Sequence, residues 1–270
     1  MNDFLKELND RQREAADYTE GPLLIVAGAG AGKTKTLTYR IINLIRKGVN
    51  PNEILAVTFT NKAAKEMRDR TVKLLSDRQY NSTPFISTFH ALGVYILKEN
   101  AHILGLTKHF TIADESDAQS IIKDALRSLD LDPKQYEPRK IKSMISKAKG
   151  DFISREKFAE EAVAPFAVMV AKIWEMYEKG LKAEGALDFD DLLLQTVLLL
   201  KKYPEIKLNY QNKWKYIHID EYQDTNEVQY ELTKLLVGPK ENICVVGDTD
   251  QNIYSWRGAN IKNMLHFEKD

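Results

Sequence analysis

The stretch Ala27-Gly28-Ala29-Gly30-Ala31-Gly32-Lys33-Thr34 constrains this chain more than any other. It follows the apolar run Leu23-Leu24-Ile25-Val26 and precedes Leu37, Ile41, Leu44 and Ile45, which recur at helical spacing. A strand must therefore turn through small residues directly into an amphipathic helix, with Gly48 as its stop. Glycine and alanine let backbone N–H groups approach an anion closely, and the helix N-terminus adds a favourable dipole. The pattern predicts a phosphate-binding loop in which Ala29, Gly30, Ala31 and Gly32 cradle a nucleotide, Lys33 neutralises its terminal phosphates, and the Thr34 hydroxyl ligates magnesium. Ala27 stands where the usual pattern has its first glycine.

Further short apolar runs, Ile54 to Phe59, Phe85 to Ser87, Tyr216 to Ile219 and Ile243 to Val246, alternate with helical patterns. This order predicts an α/β fold around a parallel sheet. From 108 to 187 helical periods dominate and predict an all-helical insert. Ser116 and Gln119 have capping-box spacing ahead of Ile121, Ile122, Ala125, Leu126 and Leu129, and Val170, Ile173, Trp174, Tyr177 and Leu181 mark a second amphipathic helix whose aromatic residues read as core. The expected division is a motor domain over 1–107 and 188–270 and a helical domain over 108–187.

With 39 basic and 39 acidic residues in 270, no bulk charge advertises a nucleic acid, so any such contact must be local. The single cysteine, Cys244, lies in an apolar run and excludes an intrachain disulfide. The charged N-terminus and the shortness of the apolar stretches predict a cytoplasmic chain with no membrane partner.

Tyr216-Ile217-His218-Ile219-Asp220-Glu221 places two carboxylates at the end of a strand expected to neighbour the glycine loop. Asp220 there would hold magnesium and Glu221 would orient or deprotonate the attacking water, so hydrolysis rather than binding alone is implied. His218 reads as structural.

Two longer segments narrow this further. Asp220-Glu221-Tyr222-Gln223-Asp224-Thr225-Asn226, and Val246-Gly247-Asp248-Thr249-Asp250-Gln251-Asn252-Ile253-Tyr254-Ser255-Trp256-Arg257-Gly258-Ala259, resemble the second and third motifs of superfamily 1 DNA helicases of the UvrD/PcrA/Rep type. Leu8-Asn9-Asp10-Arg11-Gln12, Thr58-Phe59-Thr60-Asn61-Lys62-Ala63-Ala64, Thr88-Phe89-His90 and Leu187-Asp188-Phe189-Asp190-Asp191-Leu192 resemble other motifs of that family, in the family's order.

The resemblance implies a RecA-like P-loop NTPase domain that uses ATP and magnesium. In it Gln12 reads the adenine, Gln251 touches the γ-phosphate beside Lys33 and Glu221, and Lys35 stands where relatives usually carry an arginine packed on the base. It also implies that Phe59, Thr60, Asn61, Lys62, Thr88, Phe89, His90, Tyr254, Trp256 and Arg257 meet single-stranded DNA, with aromatic rings stacking on bases irrespective of sequence. The basic set Arg139, Lys140, Lys142, Lys147 and Lys149 reads equally as a surface facing a single-strand/double-strand junction or as a solvated helix face.

The family builds its site between two RecA-like domains, and the second, with its arginine fingers, is not read in this sequence. The isolated chain is therefore expected to bind nucleotide weakly and hydrolyse it poorly, as part of an ATP-dependent 3′–5′ helicase of repair or replication. The motor half of an AddA/RecB-type helicase-nuclease and a non-catalytic regulatory module are the competing readings.

Overall fold

The computed structural model describes residues 3–76, 82–248, 262–267 and 269. Its elements run α1 (Asp10–Asp17), β1 (Leu23–Val26), α2 (Lys33–Arg46), β2 (Ile54–Thr58), α3 (Asn61–Leu75), β3 (Phe85–Thr88), α4 (Phe89–Glu99), β4 (Thr111–Ala113), α5 (Glu115–Ser128), α6 (Pro138–Gly150), α7 (Arg155–Glu161), α8 (Pro165–Ala183), β5 (Ala186–Asp188), α9 (Asp191–Lys202), α10 (Pro204–Lys213), β6 (Tyr216–Ile219), α11 (Glu227–Leu236), β7 (Ile243–Gly247) and α12 (Lys262–His266). They form two compact units, one of Met1–Leu92, Leu200–Thr225 and Gln229–Asp270, the other of Gly93–Leu199 with Asn226–Val228.

The first unit is built on a five-stranded sheet in the order β1-β7-β6-β2-β3, every pairing parallel. This is the α/β fold expected from strand and helix alternation. Its order corrects one expectation: β6 is not the neighbour of β1, because β7 lies between them. Sequence order cannot reveal such an insertion, since among the described residues β7 is the last strand in the chain and the second in space.

The interior strands β2 and β7, which flank the central β6, are buried along their whole length, and α2 lays Leu37, Ile41, Leu44 and Ile45 against Ile54, Ala56, Cys244 and Val246. Cys244 is fully buried, and burial pushes its thiol up to about 12, so it stays protonated and inert. α2 also buries polar residues, each with a partner. Arg40 donates to the carbonyls of Ala15 and Thr19, and Asn43 donates to Ala16 O and the Asp17 carboxylate. These bonds satisfy carbonyls at and beyond the C-terminal end of α1 and dock it on α2.

The second unit has its own core, where α5, α6 and α8 close around Ile122, Ile145, Trp174 and Tyr177. The aromatic residues of this segment are buried, as their helical spacing implies. Two details differ from the expectation. The N-cap of α5 is Asp114, whose carboxylate accepts from Asp117 N–H while the Asp117 side chain accepts from Asp114 N–H. That reciprocal pair displaces the Ser116 and Gln119 box, and Gln119 bonds Glu115 instead. The unit also carries a short parallel ladder between β4 and β5. Three-residue strands show no period, and only the long-range pairing makes them strands.

Compactness and periodicity draw the boundary at different places. The second unit reaches beyond 108–187 because Leu97, Phe110, Leu187 and Leu192 bury one another. Among the described residues no helix is long and apolar enough to cross a membrane.

Candidate active site

The glycine loop joins β1 to α2 at the carboxyl end of the sheet. Gly30 and Gly32 have φ of 71° and 79°, a region that costs other residues about 1–2 kcal/mol. At Gly32 space is tight as well, since a Cβ would lie 2.8 Å from the Gln12 amide nitrogen and would displace it. Ala27, the departure from the usual pattern, serves through its backbone alone: its N–H donates to Gly247 O and its carbonyl accepts from Lys33 Nζ at 3.2 Å. A methyl group there disturbs neither bond.

Gln12 is the third residue of α1, and its side chain closes a capping box with Asn9. Its amide nitrogen also donates to Ala31 O at 2.8 Å, tying α1 to the loop. Lys35 donates to Glu7 O at 2.8 Å and lies over the Tyr39 ring. The Tyr39 hydroxyl donates to Glu7 Oε2 at 2.5 Å.

The two candidate magnesium ligands meet directly, the Thr34 hydroxyl donating to Asp220 Oδ2 at 2.6 Å. Burial pushes the Asp220 carboxyl up to about 6; neighbouring Glu221 adds to the rise, and the Thr34 hydroxyl and Lys33 oppose it. A buried carboxylate beside a second acid, with a hydroxyl at hydrogen-bond distance, is a hard-oxygen donor set that fits a magnesium ion bound largely through water and phosphate. Among the described residues no three acidic, histidine or cysteine side chains cluster as a metal cage, and this kind of site does not need one.

Glu221 holds a left-handed backbone, φ 53° and ψ 42°, at a cost of about 1–3 kcal/mol for a residue other than glycine. The strain turns the chain sharply after β6, and the Glu221 carboxylate accepts from Gln223 Nε2 at 2.8 Å. Asp224 follows, its carboxyl raised to about 6 by burial and by Glu221, against Lys33, and one of its buried oxygens has no hydrogen-bond partner. His218, in β6, is fully buried. Burial and the Arg40 charge lower it to about 3, so it is a neutral strand residue, as read from the sequence.

Between the loop and β6 lies the residue that sequence reasoning passed over. Asp248 directly follows β7, and its Oδ2 is 3.3 Å from Lys33 Nζ, both side chains buried. Its signal was present, since Val246-Gly247-Asp248 repeats the apolar-run-then-acid pattern of Ile219-Asp220. Without the strand order it had no assigned neighbour.

Ala29, Gly30, Gly32, Lys33, Thr34, Lys35 and Glu221 line one open cavity of about 680 Å³, with Glu7, Tyr39, Arg70, Lys73 and Leu74 extending it toward α1 and α3. The remaining candidates gather farther along the same sheet edge. Thr58 is in register with Thr88, so Phe59 and Phe89 emerge side by side, ring centroids 5.5 Å apart and edge to face. Phe89 is buried and supports Phe59, which is half-exposed. Thr60, Asn61 and Lys62 are exposed and His90 is half-buried. Thr60 and Thr88 cap helices through Ala63 N–H and Ala91 N–H. Gln251, Tyr254, Trp256 and Arg257 lie outside the described residues.

Residues 8–270 match the sequence model of the UvrD/REP helicase N-terminal domain. The chain belongs to that family. Among curated relatives it is similar to the ATP-dependent DNA helicase PcrA of Staphylococcus aureus (strain Mu50), 48% identical over 271 aligned residues. It is equally similar to the PcrA of Staphylococcus epidermidis (strain ATCC 12228), again 48%. The alignments cover all of this chain and 37% of each relative. In this UvrD/REP helicase N-terminal domain the sheet order thus brings the glycine loop, the β7 acid and the β6 acids together along one edge.

Proposed function

We propose that this chain is the ATP-binding and single-stranded-DNA-binding part of an ATP-dependent DNA helicase, one that moves 3′ to 5′ in repair or replication in the cytoplasm. The observation that carries the reading is the direct Thr34 to Asp220 contact beneath the glycine loop, with Glu221 lining the same cavity. Thr34 and Asp220 hold magnesium, which neutralises charge on the phosphate oxygens when bound. Lys33 exchanges its contact with Asp248 for the terminal phosphates, Gln12 and Lys35 meet the base, and Glu221 orients the attacking water and takes up its proton. Gln251 senses the γ-phosphate.

Single-stranded DNA runs along the carboxyl ends of β2 and β3, against Phe59, Thr60, Asn61, Lys62, Thr88, Phe89 and His90, and onward to Tyr254, Trp256 and Arg257. Stacking gives grip without sequence preference. The 108–187 insert faces a duplex junction with Arg139, Lys140 and Lys147, which are exposed on α6. A second RecA-like domain supplies the arginine cations of the transition state, so these 270 residues alone turn over slowly.

The test is magnesium-dependent ATP hydrolysis by this chain under single-turnover conditions, with and without oligo-dT, against Lys33→Ala. Slow hydrolysis that the variant loses supports the reading; no hydrolysis above background, or hydrolysis indifferent to Lys33, overturns it. A pH dependence follows from Asp220. With its carboxyl at about 6, protons compete with the cation below that value. Magnesium-dependent nucleotide affinity is expected to fall about tenfold per pH unit on the acid side. Calorimetric titration between neutral and acid pH measures this, and a flat profile rules out Asp220 as the ligand.

A further inference from the structure

Gln223 has no role in the function proposed above, yet it is 1% exposed and each end of its amide is committed. Nε2 donates to Glu221 Oε2 at 2.8 Å and lies 3.5 Å from Asp224 Oδ2, while Oε1 accepts from the backbone N–H of Asp248 at 2.9 Å. Only this orientation of the amide works: turned over, its oxygen would face two carboxylates and its NH2 a backbone N–H. Space is kept for it as well. A Cβ on Gly247 would lie 2.8 Å from Gln223 Oε1 and 3.0 Å from Met264 Sδ, so a side chain there would push the amide and the thioether out of place.

Asp248 is thereby joined to both working groups. Its carboxylate holds Lys33 Nζ at 3.3 Å, and its N–H holds Gln223, which holds Glu221. Two groups that must act on the same phosphorus are otherwise carried on elements from opposite ends of the chain, and Glu221 sits on strained backbone with no other side-chain donor among the described residues. We propose that Gln223 is a positioning residue for ATP hydrolysis, fixing the Glu221 carboxylate relative to Lys33 through the main chain at Asp248. The inference rests on the hydrolytic reading above.

An amide is suited to the task because it is neutral, cannot itself accept the proton that Glu221 takes from water, and presents a donor and an acceptor at opposite ends. Placed between Glu221 and Asp224, it also keeps two carboxylates apart that would otherwise compete for one proton.

The experiment is single-turnover ATP hydrolysis by this chain and by Gln223→Met, which keeps the volume and removes both hydrogen bonds. Gly247→Ala serves as a second variant, crowding Gln223 while deleting no hydrogen-bonding group. Nucleotide affinity is measured in parallel with a non-hydrolysable ATP analogue, and fold by thermal unfolding. The expected result is a 10- to 100-fold lower hydrolysis rate in both variants, with affinity within about threefold of the parent. A rate within threefold of the parent in either folded variant, or an affinity that falls in step with the rate, overturns the role. Should Gln223→Met unfold, Gly247→Ala decides alone. Absence of hydrolysis in the parent chain itself defeats the proposed function, and this inference falls with it; a normal parent and a normal variant defeat the inference alone.

Discussion

Lys149→Met is expected to destabilise the helical unit by about 3–5 kcal/mol, the scale for removing one partner from a buried ion cluster. Lys149 is 1% exposed, its ammonium 2.9 Å from Asp188 Oδ2 and 2.7 Å from Asp191 Oδ1. Lys142 reaches the same group from one side, 2.6 Å from Asp190 Oδ2 and 3.3 Å from Asp188 Oδ2, and the Tyr177 hydroxyl donates to Asp188 from another.

Burial alone would lower the Lys149 pKa, but Asp191 and Asp188 more than offset it and the group stays charged. Burial would likewise raise Asp188, yet Lys149 and Lys142 hold it below the usual carboxylate range. Three carboxylates facing two ammonium groups already carry an excess negative charge, and burial raises Asp191, where a proton is most easily accommodated. Methionine in place of Lys149 leaves that excess larger and in a dry interior. Denaturant unfolding followed by circular dichroism measures the loss, and a change below about 1 kcal/mol would falsify the view that the cluster holds α6 to β5 and α9.

Glu221→Gln is expected to lower single-turnover hydrolysis by about 10²–10⁴-fold, the usual contribution of a positioned general base, with nucleotide binding retained. The isosteric amide keeps the left-handed turn and the cavity wall but cannot take a proton from water. Quenched-flow measurement of phosphate formation, paired with analogue titration, separates the two effects. A loss under tenfold would show that water activation comes from elsewhere; Asp224, in the single 3-10 turn that follows Glu221 and raised to about 6, would then be the residue to test. Lost binding would instead make Glu221 a phosphate or metal contact.

How much of this was legible beforehand differs from residue to residue. The glycine loop, its strand and its helix were readable because a phosphate loop is local: eight consecutive residues carry both the chemistry and the turn. The acids after β6 were readable for the same reason, as was the burial of Cys244, Trp174 and Tyr177, which follows from apolar runs and helical period.

The basic residues of α6 were not. Periodicity shows that Lys142 and Lys149 are basic and helical, but whether an ammonium faces water or carboxylates depends on Asp188, Asp190 and Asp191, about 40 residues away in sequence. Nor could the sequence give the Asp114 cap of α5, since two candidates two residues apart, Asp114 and Ser116, each had an acceptor-bearing partner three residues on and only the folded helix start chose between them.

The sequence by itself thus determined the chemistry available at the site and the class of fold, since both rest on short-range pattern and on residue type. Only the tertiary structure decided which groups face one another. β7 enters the sheet between β1 and β6, and that single crossover sets Asp248 against Lys33 and Gln223 against Asp248. Strand order is fixed by which apolar faces bury best together across the whole chain, a global balance that no local window of sequence contains.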